Sequence, residues 1–303
     1  MQISFPAKEG VAERLFPKHR VIWWGLLVFA AVGLLSHADG QAPLFSVALP
    51  VDHLPTSVLF LFGVALACEF IDSSLGMGYG TALTPLLLVM GYEPMQVVPC
   101  VLLSELLTGV AAGLMHQKDG NVDFLRDRVA RQTVVMLSLL SLVGAVSATV
   151  LAVSLPGNWL KVAIGLIIVG ASTLVLLTSK SGLRYRGRNI ILLGVVAAFN
   201  KGLSGGGYGP LTTSGQILAG VPAKNAVAIT SFAEAVTCLF GLCGYLWYRP
   251  IDLSLAVPLA LGALLSVPMA TLTIRLFPEQ FMRLLVGGMT FLLGCLTLIK
   301  ACL

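Results

Sequence analysis

The sequence predicts an all-α, polytopic membrane protein. Three observations lead there. The 303 residues are 57% hydrophobic and only 11% charged, whereas soluble domains carry about 25% charged residues. Apolar runs near the roughly 20 residues that span a bilayer follow one another along the chain. Lysine and arginine gather in a few short segments between those runs. A soluble enzyme, a disordered chain and a secreted disulfide scaffold are therefore excluded. The net charge of +5 reads as basic loops facing anionic headgroups and not as a nucleic-acid surface. The six cysteines lie in or beside apolar runs without a CxxC pair, and read as small buried hydrophobes.

The first apolar run is Val21–Leu35, preceded by Arg14, Lys18 and Arg20. Its polar leader and Trp23-Trp24 favour a retained helix, with a cleaved signal ending near Ala38 as the alternative. Ten further segments follow: Leu54–Leu75, Thr81–Met90, Met95–Met115, Gln132–Val153 and Trp159–Leu177, then Ile190–Leu203, Leu211–Leu218, Ala223–Trp247, Leu255–Leu276 and Phe281–Ile299. The order long, short, long, long, long occurs twice. The expected division is 1–53 (cytoplasmic N-terminus and extra helix), 54–179 (first repeat), 180–188 (basic cytoplasmic linker) and 189–303 (second repeat).

The repeat holds residue by residue at a spacing of 129. Gly76, Gly78, Tyr79 and Gly80 fall on Gly205, Gly207, Tyr208 and Gly209, and Glu105 and Thr108 fall on Glu234 and Thr237. The basic segments at the N-terminus, 116–131 and 180–188 are assigned to the cytoplasm by the positive-inside rule. The first repeat then begins outside and ends inside, so the second runs inverted and leaves the C-terminus outside. Inverted repeats are a common construction of secondary transporters. The short segments are too short to span, and are expected to be re-entrant helices, with two separate crossings as the alternative.

Lipid cannot satisfy free backbone groups, so a glycine turn at membrane depth must be buried in protein or line a cavity. The short helix after each turn offers unpaired N–H groups and partial positive charge. These features nominate Gly76, Gly78, Tyr79, Gly80 and Thr81, with Ser204, Gly205, Gly207, Tyr208 and Gly209, as an anion site. Lys201, about 12 residues into its segment, adds positive charge near the midplane. It pairs either with an anionic substrate or with Asp72 or Glu69. Glu69, Asp72, Glu105 and Glu234 lie in apolar surroundings, are functional candidates by default, and are assigned to a coupling proton or sodium ion. A potassium filter needs four parallel TVGYG copies, which this chain does not provide. His19, His37, His53 and His116 sit at segment boundaries, and no HExxH or GxSxG occurs. No enzyme activity, metal or other cofactor is expected.

Phe70-Ile71-Asp72-Ser73, Gly76-Met77-Gly78-Tyr79-Gly80, Thr84-Pro85 and Gly120-Asn121-Val122-Asp123, with the second glycine motif in matching order, resemble the sulfite exporter TauE/SafE family over about residues 55–300. Glu105, Glu234 and Lys201 depart from that pattern. The resemblance implies a multi-pass permease of the cytoplasmic membrane that moves small sulfur-containing anions. The expected function is a secondary transporter of sulfite, a sulfonate or a related oxyanion, ion-coupled and working by alternating access. The alternative is a cation or metal carrier built on the buried carboxylates. The expected partners are the small anion, a coupling proton or sodium ion, the bilayer and a second copy in a homo-oligomer.

Overall fold

A computed structural model describes residues 45–46, 54–178, 188–218, 221–273 and 279–302. The expected helix at Val21–Leu35 and nearly all of the basic linker lie outside the described residues. Ten helices occur among the described residues: α1 (Leu54–Leu75), α2 (Tyr79–Met90), α3 (Pro94–Lys118), α4 (Arg128–Ser154), α5 (Gly157–Thr178), α6 (Arg188–Ser204), α7 (Tyr208–Leu218), α8 (Ala223–Leu246), α9 (Leu253–Thr273) and α10 (Glu279–Cys302). The one extended element among the described residues is a two-residue parallel ladder of β1 (Phe45–Ser46) and β2 (Ile251–Asp252).

Six of the helices, α1, α3, α4, α5, α8 and α9, are long and apolar enough to cross a membrane. In contrast, α2 has 12 residues and α7 has 11. At ~1.5 Å per residue they reach little more than half of a ~30 Å hydrocarbon core. Each follows a turn that only glycine makes readily. Gly76 and Gly78 have φ of 69° and 144°, and Gly205 and Gly207 have 69° and 78°. Gly91 closes α2 in the left-handed conformation, its N–H meeting the carbonyls of Leu87 and Leu88. Pro94 opens α3, where a missing N–H costs nothing.

Asp127 caps α4, its carboxylate accepting from the N–H groups of Val129 and Ala130. Asp127→Ala is expected to lower stability by about 1 kcal/mol, read as a lower melting temperature of the purified protein. An unchanged melt would show that the cap carries no weight.

The packing is reciprocal. α1 lies on α9 and α6 lies on α4; α3 meets α9 and α8 meets α4; α2 meets α10 and α7 meets α5. α3 and α8 pack on each other and are the most buried of the long helices. Exchanging the first five helices for the second five leaves this pattern unchanged. The outer helices show apolar faces. On α4, Val135, Leu139, Leu142, Val143, Val146 and Val150 are exposed at helical spacing. A continuous apolar face of that length fits lipid and not water.

The cysteines divide. Cys68, Cys100 and Cys238 are buried as expected, but Cys243 and Cys295 are half-buried and Cys302 is exposed. Their helices turn part of their surface outward at those positions, which an all-round apolar run does not disclose.

Candidate substrate and ion site

The two glycine turns meet backbone to backbone. A Cβ on Gly80 would collide with the carbonyl oxygen of Gly205, and one on Gly209 with that of Gly76. Thr213 Oγ1 donates to the Gly76 carbonyl at 2.8 Å, and Gly207 N–H donates to Thr81 Oγ1 at 3.1 Å. In this structure the two turns lie in direct contact. Glycine removes the side chains that would hold the two chains apart, and the backbones close on each other.

Four of the expected binding side chains lie buried within the packed bundle. Tyr79 is fully buried with its hydroxyl 2.7 Å from Ser104 Oγ. Tyr208 is fully buried in an apolar cluster with Val134, Ala198 and Leu211. Both tyrosines anchor their turns in the core. Ser204 Oγ donates to the Gly206 carbonyl at 3.1 Å and braces its own turn. Thr81 spends its hydroxyl oxygen on Gly207.

The free N–H groups at the start of α2 are met by internal carboxylates. Tyr79 N–H donates to Asp72 Oδ1 at 3.2 Å, and Gly80 N–H to Glu105 Oε1 at 3.1 Å. Glu105 Oε2 takes Lys201 Nζ, and Glu234 Oε1 takes the same ammonium at 2.8 Å. Lys201 is 0% exposed. An isolated buried ammonium costs many kcal/mol, and these two partners offset that cost. The expected partners of Lys201, Asp72 and Glu69, are different ones here. Asp72 has turned to the α2 N-terminus. Glu69 accepts from Ser73 Oγ at 2.6 Å and Thr108 Oγ1 at 3.1 Å. Lys201 instead reaches α3 and α8, where Glu105 and Glu234 flank it.

Beside this triad is a small void with room for about one water molecule. Glu69, Asp72, Glu105 and Glu234 wall it, with the hydroxyl-bearing Thr108 and Ser231. Among the described residues, no group of three or more His, Cys, Asp or Glu side chains is arranged to hold a metal ion.

His116, read from the sequence as a boundary residue, is fully buried at the end of α3. Its Nε2–H donates to the Ser73 carbonyl at 3.1 Å, and its Nδ1 accepts from Asn121 Nδ2 at 3.0 Å. Asn121 also donates to the Thr271 carbonyl at 3.1 Å, and Thr271 Oγ1 donates to Asp119 at 2.8 Å. This network ties the 119–123 loop to the ends of α1 and α9 and includes Ser73, whose hydroxyl donates to Glu69. The Gly120-Asn121-Val122-Asp123 motif was its available signal.

A lipid-facing helical bundle with paired broken segments and charges sealed at its centre is the construction of a membrane transporter. The chain is a multi-pass membrane transporter and not an enzyme. It belongs to the sulfite exporter TauE/SafE family, whose model matches residues 60–297. It is 32% identical over 256 residues to "Probable membrane transporter protein YtnM" of Bacillus subtilis (strain 168), covering 80% of this chain and 83% of that protein. No solved structure matches.

Proposed function

We propose that the protein is a secondary transporter of a small sulfur-containing anion: sulfite, a sulfonate or a related oxyanion. The observation that carries this reading is Lys201, an ammonium with no exposure, held between two carboxylates beside the N-terminus of a short helix. A charged group in such surroundings is a functional candidate by default, and an ammonium is a ready ligand for an oxyanion. Glu69, Asp72, Glu105 and Glu234 supply the coupling-ion site. The reciprocal packing supports two inverted repeats, 54–179 and 189–303, that rock about the central α3–α8 contact to give alternating access. The membrane is the cytoplasmic one, with the N-terminus inside and the C-terminus outside.

The test is counterflow of labelled sulfite in vesicles containing the purified protein. Sulfonates are expected to compete; divalent cations are not. A second reading, cation transport, is favoured by the carboxylate-walled void. Uptake of a cation with no exchange of any sulfur anion would establish it and overturn the first.

A further inference from the structure

Glu105 occupies the two groups best suited to an anion. One of its oxygens accepts from the Gly80 N–H at the start of α2, and the other takes the Lys201 ammonium. A sulfonate or sulfite presents the same pair of acceptor oxygens. An anion entering the site therefore competes directly with the Glu105 carboxylate. We propose that Glu105 is a tethered stand-in for the substrate, displaced when the anion binds, and that its released carboxylate takes up one proton from water. This rests on the anion reading above and adds its coupling step.

The charge balance supports it. The groups facing Glu105 are Glu69, Asp72 and Cys68 from α1, Tyr79 from α2, Lys201 from α6, and Glu234 and Cys238 from α8. The packed helix α9 carries no titratable side chain. One ammonium thus faces four carboxyl groups. Adding an anion would deepen the negative charge unless a cation enters with it. A carboxylate displaced from the Lys201 ammonium, in surroundings that exclude bulk water, is neutralised most cheaply by a proton. The Glu105 O–H bond then forms as its contacts to Lys201 and Gly80 pass to the substrate. One monoanion and one proton enter, and the net charge of the site is unchanged. The void bordering Glu105 has room for about one water, a relay position between the carboxylate and a proton from bulk solvent. Glu234 stays on Lys201 throughout, so the ammonium is never left bare.

The experiment mixes purified, detergent-solubilised wild-type protein with methanesulfonate or sulfite in weak buffer containing a pH indicator. Binding is measured calorimetrically on the same samples. Methanesulfonate is the anion of a strong acid and brings no titration of its own, so the proton count is taken with it; sulfite, which titrates itself, serves for the binding measurement alone. The expected result is uptake of about one proton per bound anion. Glu105→Gln keeps an acceptor for Gly80 and is expected to bind the anion with no proton uptake. In vesicles the variant should exchange anion yet fail to accumulate it under a pH gradient. Wild-type binding without proton uptake overturns the proposal, as does undiminished uptake in E105Q. Should E105Q fail to fold, the wild-type proton count still decides. Failure of the wild type to bind either anion is a separate result: it defeats the anion reading itself.

Discussion

Lys201→Met is expected to lower transport at least ~100-fold and to destabilise the protein by about 3–5 kcal/mol. The first effect follows from losing the ammonium that Glu105 and Glu234 hold at the site. The second follows because the substitution strands the Glu105 and Glu234 carboxylates, and breaking a buried pair from one side costs about that much. Counterflow and thermal unfolding on the same preparation separate the two. The triple variant Lys201→Met/Glu105→Gln/Glu234→Gln removes the stranded charges. It should recover most of the stability and none of the transport. Wild-type transport by K201M would remove Lys201 from the site. An unchanged melting temperature would deny the double ion pair.

Gly80→Ala is expected to destabilise by about 3 kcal/mol or more, and Gly209→Ala similarly, because each new methyl meets a backbone carbonyl of the opposite turn. A flexible side chain can step aside; a carbonyl can move only with its turn. Gly63→Ala is the control. Gly63 lies inside α1 with nothing within 4 Å of an added Cβ. There the change should be neutral or stabilising by up to ~1 kcal/mol, since alanine favours the helix. Melting followed by size-exclusion chromatography distinguishes them. Equal melts for G80A and G63A would mean that the turns can part without cost.

The helices themselves were readable from the chain. Leu54–Leu75 is found over those same residues, and Thr81–Met90 begins two residues earlier, at Tyr79, directly after the positive-φ Gly78. Lipid makes this possible, since an apolar run deprived of water must satisfy its backbone internally. The doubled glycine motif marked both breaks because few other residues take those angles. His116 reads as a boundary residue because an apolar run ends at Met115 and polar residues follow it, while its partners in space are Ser73 and Asn121. Tyr79 and Tyr208 are legible in the sequence as residues beside the glycine turns, but their complete burial is not, because a ring beside a turn is the same string of letters whether it faces a cavity or the core.

By itself, then, the sequence determined the class of protein, the positions of the ten helices among the described residues and which charged residues are buried. All of these follow from local composition and from the cost of placing polar groups in an apolar medium. Only the tertiary structure decided who meets whom. Lys201 had several carboxylates within plausible reach and closed on Glu105 and Glu234; Asp72 and Glu105 went to the amides of α2; the two glycine turns closed on each other. Such choices depend on distances between helices far apart in the chain, and those distances are set by how the whole bundle packs.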